Sequence, residues 1–452
     1  MRIFKLLLPL CCGAVLWASA STAATEEIPQ PLTFNEAMAA AVKHNPQVVA
    51  ARFAVEAAAS QVISARSGLL PQFYLSETFN YTNSPLWAFG TSLNQGVIQS
   101  SDFSPDALND PDAVQNFNTA LSMSWRLFDG GQTRTGWRQA IEGKEATELG
   151  LLRLEQQVIA QAGKAYVGLL LAGENLEVIT QSLETSRAHL KLVEDRFRSG
   201  LAIKSDVLRA QVRIADLEQQ RLWAESQVQV AQVTLNAAMG QEQQSAFAPS
   251  TRLELCIPPK GDMAHWMDLA LSQRPDLKQL DLQKTIAQRG VKRAKAGHLP
   301  TLALQGNYEI NSEDFNDTHD NYSLGAVVRV NLYSGQRISS QAAAAKAKVS
   351  QAEAIQNSLA LAVRVDTQRA FYQARSAWQS ISVARQAVGQ AEEGLRIVSN
   401  RYAGGLLTIV DLLDAQVALQ QARTQNFKAL HDYKVARIEL AFSTGTIDKD
   451  FN

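Results

Sequence analysis

The sequence is short of cysteine, of net charge and of unbroken apolar runs, and each shortage excludes something. Of 3 cysteines in 452 residues, Cys11 and Cys12 fall in the first dozen positions and Cys256 stands alone beyond them. No disulfide framework can therefore hold the fold. Lysine and arginine number 43 against 44 acidic residues, a formal charge of −1, which leaves no basic footprint for nucleic acid. Past the N-terminus no apolar run reaches the roughly 18 residues of a membrane-crossing helix, so none is expected there. The histidines (His44, His189, His265, His298, His319 and His431) have no metal-ligand spacing. Gly130-Gly131 is not followed by the Gly-Lys-Ser/Thr of a phosphate loop, and no nucleophile–base pattern occurs. Catalysis, a metal and a cofactor are all unexpected. Hydrophobic residues at 46% exclude a disordered chain.

What is present begins with an export signal over residues 1–24. Arg2 and Lys5 precede an apolar stretch at 6–16, and Ala18-Ser19-Ala20 and the residues after it supply a small-residue cleavage site. A lipoprotein signal using Cys11 or Cys12 is the alternative, against which stand Pro9 and Leu10. Removing 1–24 takes two basic residues and no acidic one, leaving 41 − 44 = −3. Cys256 is then the one remaining thiol, and a buried position is expected for it.

The rest of the chain is duplicated. The sixteen residues from Arg196 to Gln211 align with those from Arg401 to Gln416, an offset of 205, with seven identities that include Gly200/Gly405, Leu201/Leu406 and Asp206/Asp411. The same offset relates Leu127 to Leu332, Gly130 to Gly335 and Gly240 to Gly445. Upstream it becomes 229, relating Pro46 to Pro275, Gly68 to Gly297 and Leu70-Pro71 to Leu299-Pro300. The difference of 24 marks an insertion in the first half, between about 83 and 116. Repeats in this order place one structural unit at 25–240, a connecting segment at 241–262 carrying Pro249, Pro258 and Pro259, and a second unit at 263–452.

Each unit reads alike. A helix is expected over 33–67 and over 264–296, closed by Gly68 or Gly297 in the left-handed C′ position with proline just beyond. Period-two segments follow. Phe73, Leu75, Phe79 and Tyr81 alternate with polar residues, as do Phe117, Leu121, Met123 and Trp125; the second half repeats this from Leu302 to Ile310 and from Tyr322 to Leu332. These predict two hairpins, 72–128 and 301–333, with strands of about ten to twelve residues. After Gly130-Gly131 and Gly335 the period turns helical, proline-free over 132–198 and 337–402. About 66 residues at 1.5 Å each give a rod near 100 Å, a length that coiled-coil packing uses and a globular core does not. A further helix returns after Gly200 and after Gly404-Gly405. The fold class expected is mainly α with a small β part: long coiled-coil-like hairpins plus four strands per protomer.

Strands of that length suit a tilted crossing of the hydrocarbon layer, with one apolar face and one polar. A half-buried sheet in a water-soluble protein is the ordinary alternative for any one such strand, but a small sheet could not cover rods of 100 Å. Four strands cannot close a barrel, and their edges would be left unpaired in lipid. Three copies sharing twelve strands is the simplest closed arrangement with a usable lumen. Insertion 83–116 and the acidic loop 312–321 then fall at the hairpin tips, facing away from the helices.

At these residues the chain resembles the TolC family of outer-membrane efflux and secretion channels. The resemblance rests on Leu-Pro before each hairpin, Leu-Phe-Asp-Gly-Gly and Leu-Tyr-Ser-Gly after it, and Thr408-Ile409-Val410-Asp411-Leu412-Leu413-Asp414-Ala415 at the second turn. It implies a homotrimer with a 12-stranded barrel in outer-membrane lipid, continuous with a helical tunnel in the periplasm. It also implies a periplasmic adaptor and an inner-membrane pump of ABC, RND or MFS type as partners. By the same resemblance Asp411 and Asp414 match entrance aspartates, and three-fold symmetry would gather six carboxylates about one axis. Tyr402, Ser205 and Asp206 match positions of a closed-state latch, in which Leu407 replaces an arginine. Gly200-Leu201 and Gly405-Leu406 match adaptor-docking turns. Read without the resemblance, Asp206 and Asp411 are ordinary helix-start acids, Asp414 is a solvated residue, and the glycines are turn formers. The competing function is a soluble periplasmic coiled-coil adaptor or scaffold, which would need only one helical hairpin.

Overall fold

The computed structural model describes residues 30–241, 247–254, 257–258 and 261–450. The export signal, Cys11, Cys12 and Cys256 lie outside the described residues. In chain order the first half runs β1 (Gln30–Leu32), α1 (Phe34–His44), α2 (Pro46–Ser67), β2 (Gln72–Thr82), α3 (Pro85–Asn94), α4 (Pro105–Asn109), β3 (Val114–Phe128), α5 (Gln132–Arg198) and α6 (Lys204–Met239). After β4 (Phe247–Pro249) come α7 (Met263–Gln273), α8 (Pro275–Lys295), β5 (Thr301–Ser312), β6 (Thr318–Arg329), α9 (Arg337–Ala403), α10 (Ile409–Thr444) and α11 (Ile447–Asp450).

The long rods are as the sequence reading has them: α5 and α9 are each 67 residues, about 100 Å at 1.5 Å per residue. The shorter leading helices are not single. Residues 33–67 hold two helices broken at Asn45-Pro46, and 264–296 hold two broken at Arg274-Pro275. Proline's ring excludes the helical conformation from the residue before it: Asn45 has ψ 124° and Arg274 ψ 124°. Each proline then serves as the first residue of the next helix, where its missing N–H costs nothing.

Gly68 and Gly297 also depart from expectation. Gly68 closes α2 at φ −65°, right-handed, and Gly297 is not among the positive-φ glycines. Space explains them instead. A Cβ on Gly68 would stand 2.9 Å from the methyl of Thr133, and one on Gly297 would stand 3.3 Å from Ile338. Both let the end of a leading helix sit against the start of a long rod. The left-handed closures are at Gly240 (φ 68°) and Gly445 (φ 73°), which end α6 and α10.

Those two ends are held by equivalent devices. The Asn45 side chain donates to the carbonyl of Ala238 at 3.1 Å, and Arg274 donates to the carbonyl of Ser443 at 3.4 Å. Either way an orphan carbonyl of a helix terminus gains a donor. In the second half the device is ionic. Arg274 pairs with Asp276 through Nε at 3.0 Å, Arg153 lies 3.7 Å from the same carboxylate, and Arg153 donates to the carbonyl of Phe442 at 2.8 Å. Burial lowers the Arg153 pKa to about 10. Burial pushes the Asp276 carboxyl up, but the Arg274 and Arg153 guanidiniums and the Leu277 N–H outweigh it, and the net shift is downward. The main apolar core lies at this level, around Tyr166, Val167, Leu235, Met239, Tyr433 and Ile438.

The four long strands form one antiparallel sheet in the order β2-β3-β5-β6. Its register puts most of the large apolar side chains on one face, pairing Phe73 with Met123, Phe79 with Phe117, Trp125 with Leu304, Leu121 with Tyr308 and Tyr308 with Tyr322, while Tyr74 and Val327 fall on the other. The other face is a polar ladder: Asn116 and Asn118 both donate to Asn311, at 2.8 and 2.9 Å, and Ser122 donates to Asn307 at 2.9 Å. β6 ends at Arg329, so the alternation at Val330 and Leu332 continues past the sheet.

Packing of the two halves is unequal. In the chain α8 lies against both α5 and α9, whereas its counterpart α2 lies against α5. Likewise α10 contacts α9 and α5, while α6 contacts chiefly α5. The surface of α9 left over is apolar, with Leu361, Val365, Tyr372 and Val383 exposed, and so are Phe53 and Ile63 on α2 and Leu222 and Trp223 on α6. No long unbroken apolar run appears in α2, though by length and mean composition it is apolar enough to cross a membrane. It carries Arg52, however, which pairs with Glu155 of α5 at 3.2 Å.

Candidate functional site

The candidate site is the far end of the two helical hairpins, where α5 turns into α6 and α9 into α10. Both turns have the same backbone. The N–H of Leu201 donates to the carbonyl of Arg196 (2.8 Å) and that of Gly200 to Phe197 (3.0 Å); Leu406 donates to Arg401 (2.9 Å) and Gly405 to Tyr402 (3.0 Å). This is the paired closure that needs a left-handed residue, and Gly200 (φ 73°) and Gly405 (φ 76°) provide it. Each turn leaves its next leucine projecting, Leu201 75% and Leu406 77% exposed. No apolar side chain gains by that position in an isolated protomer.

Under the turns a small core of Val193, Val207, Tyr402, Ile409 and Leu412 ties the hairpins together. A polar bridge crosses the same boundary. The Arg196 guanidinium donates to the carbonyls of Tyr402 (2.6 Å) and Ala403 (2.9 Å) and lies 4.8 Å from the Tyr402 ring centroid. It thereby caps the negative end of α9 from the other hairpin. Deeper in, Arg213 of α6 and Gln220 both bond Gln420 of α10, and Arg423 donates to Gln181 at 3.1 Å and to Glu392 at 2.9 Å.

The expected site residues fall here, in different states. Asp411 is the third residue of α10 and closes a capping box: Thr408 donates to its carboxylate from the backbone N–H (2.8 Å) and the hydroxyl (2.6 Å). Those bonds from the hydroxyl and the N–H hold its carboxyl below the usual range. Asp414, one turn on, is exposed with no hydrogen-bond or ion-pair partner among the described residues. The helix-start reading therefore describes Asp411 and leaves Asp414 free. Tyr402 is buried and its hydroxyl has no hydrogen-bond partner among the described residues. Ser205 is exposed and Asp206 half-buried on the first turn of α6, and the structure brings neither side chain to the Tyr402 hydroxyl. Leu407 is half-buried. The guanidinium at this turn comes from Arg196, which sequence reasoning passed over, although its identity with Arg401 opens the repeat alignment. Among the described residues no cluster of histidine, cysteine or acidic groups could hold a metal ion.

Residues 38–241 and 266–446 match the family described as outer membrane efflux protein. The outer membrane protein TolC of Vibrio cholerae is 27% identical, the match covering 98% of this chain and 96% of that protein. The alkaline protease secretion protein AprF of Pseudomonas aeruginosa is 24% identical over 90% and 83%. Among solved structures, the outer-membrane channel CmeC of Campylobacter jejuni superposes with a TM-score of 0.77 at 17% identity, covering 98% of this chain and 94% of its own. The outer membrane protein VceC of Vibrio cholerae gives 0.75 at 20% identity, covering 91% and 96%.

Proposed function

The chain belongs to the outer membrane efflux protein family and is an outer-membrane export channel protein, and from that premise we propose that three copies close into one conduit. The observation that carries this reading is the inequality of the two halves. β3 pairs with β5 inside the chain; repeating that junction would seat the open edge of β6 on β2 of the next copy. Repeating the packing of α8 and α10 on α5 would lay α2 and α6 of a neighbour on the uncovered apolar face of α9. An interface that joins one surface to a different one generates a ring when the rotation closes. Three copies supply twelve strands, and a closed barrel leaves no edge in lipid. The apolar sheet face meets the hydrocarbon and the Asn–Ser ladder lines a wet lumen.

The helical part extends through the periplasm, following an export signal at 1–24. Solutes or polypeptides cross passively, the work being done by an inner-membrane pump linked through a periplasmic adaptor. Relatives named for protease secretion and for pyoverdine export support both cargo classes for such a duct. Gly200-Leu201 and Gly405-Leu406 serve as adaptor-docking turns, supported by the two projecting leucines. Asp411 and Asp414 form the entrance ring. Tyr402, Ser205 and Asp206, with Arg196, form the latch that narrows it, supported by the bonds from Arg196 to the carbonyls of Tyr402 and Ala403. The soluble-adaptor reading is set aside, because the relatives are outer-membrane channel proteins. No chemistry is assigned to the chain; it is a duct rather than an enzyme.

The test is direct. Protein extracted from outer membranes in detergent should show three times the protomer mass by light scattering and conduct in a planar bilayer. A water-soluble protomer that never conducts would end the proposal.

A further inference from the structure

The insertion in the first hairpin folds back over the sheet, and over one face only. Gln95, which follows α3, is buried and donates to the carbonyl of Gln115 (2.8 Å) and to the side chain of Asn116 (2.9 Å). The Asn321 side chain donates to the carbonyl of Asn94 at 3.3 Å. Gly96 lies so close to His319 that a Cβ there would stand 2.5 Å from the ring, and its φ of 66° is itself one that glycine favours. Register decides what this means. Asn116 pairs with Asn80, His319 with Asn311 and Asn321 with Glu309, so all three seats belong to the polar face. They lie at the tip end of the strands, away from the helices.

α3 also has an outer side. Ala88 and Gln95 are buried toward the sheet, while Leu86, Trp87, Leu93 and Val97 are exposed, Leu86 at 78% and Trp87 at 69%. Leu86, Leu93 and Val97, spaced seven and four apart, make one stripe of a helix and its exit. This stripe points away from the polar face, into the space that a closed barrel would enclose.

Resting on the conduit reading above, we propose that the stripe on α3 is an interaction surface for the α3 segments of the other two copies. Together the three form an apolar constriction at the outer mouth. The polar face determines the occupant: within the lumen the neighbouring matter is water and two identical segments, and only the segments relieve four exposed apolar side chains of water. Three such helices meeting on the axis narrow the exit by filling it, and an apolar ring in a pore also resists wetting. The conduit then carries a restriction at each end, polar at the helical tips and apolar at the mouth, and cargo must part the second on leaving.

The experiment uses the full-length protein in planar bilayers. Trp87→Cys in a Cys256→Ser background should give inter-copy disulfides under mild oxidation, with a fall in current that reductant reverses. The triple variant Leu86→Ser/Trp87→Ser/Leu93→Ser leaves Gln95 and its partners intact and should raise single-channel conductance by about twofold or more, as expected when an apolar constriction is wetted. Gly96→Val, which drives a side chain into His319, should raise it too by unseating the segment. A trimeric, conducting parent whose variants keep the parental conductance and whose Trp87→Cys form never cross-links would overturn this inference alone. A parent that is monomeric or silent would overturn the conduit reading and this one with it.

Discussion

Arg196 of the first helical hairpin holds the backbone carbonyl of Tyr402 in the second at 2.6 Å. The bond joins the two halves at the point farthest from the sheet, where the main core around Tyr166 and Tyr433 cannot reach. Any separation of the hairpins at these turns, the proposed entrance, must break it, together with its companion to Ala403.

Arg196→Ala is accordingly expected to favour the open entrance. Charge-assisted hydrogen bonds contribute about 1.5–3 kcal/mol each, so losing this contact should raise the open fraction by roughly tenfold or more. Single-channel open probability checks this. Arg196→Lys, which keeps the charge but cannot fork between two carbonyls, should fall between parent and alanine variant.

The two aspartates of the proposed entrance ring should separate by mutation. Asp414→Asn removes a free carboxylate and is expected to weaken cation block of the current with no change in helix content. Asp411→Asn removes a carboxylate already engaged by Thr408, so it should weaken block less and loosen the start of α10 more. Since the Asp411 carboxyl is held below its unfolded value, its contribution to the cap is present above the ordinary carboxylate range. That contribution disappears as pH falls through the lower folded value. Amide exchange at 408–412, followed from neutral pH down to strong acid, should show protection lost only at the acid end.

Gly68→Ala is expected to destabilise by about 1–3 kcal/mol through overpacking against Thr133, although the backbone there is ordinary helix. Gly68→Ala with Thr133→Ser should recover much of the loss, because the clashing atom is the threonine methyl and serine keeps the hydroxyl that bonds Asp129. Thermal unfolding of parent, single and double variants measures the coupling.

Asn45→Ala and Arg274→Ala remove equivalent supports and should differ in cost. The first loses a neutral bond to Ala238 and the N-cap bond accepted from the Gln47 N–H, about 1–2 kcal/mol together. The second takes the nearer guanidinium from the partly buried Asp276 carboxylate, leaving it Arg153 alone at 3.7 Å, about 3 kcal/mol. Asp276 sits below its unfolded pKa, so its stabilising share persists above about pH 3.9 and is lost as pH falls through the folded value. The acid unfolding midpoint should therefore move upward in Arg274→Ala and little in Asn45→Ala.

Duplication, strand length and rod length were legible in the chain itself because each is written in local pattern: a fixed offset, a period of two, a proline-free helical run. The export family was legible for the same reason, since Thr408 to Ala415 and the paired glycine turns are contiguous residues. The breaks at Asn45 and Arg274 are written in local pattern too, since Pro46 and Pro275 act on the residue before them, although periodicity alone runs those helices together. Three things depended on the folded chain. Gly68 is glycine for the sake of Thr133, sixty-five residues away, and no local pattern records that distance. Arg196 acts on Tyr402 only because two hairpins are laid side by side. And the insertion reads as an ordinary loop until register places Asn116, His319 and Asn321 on one face and turns Gln95 inward over it. Local preference fixes what each segment becomes; which segments meet is a property of packing, where shape and polarity are satisfied between residues the sequence holds far apart.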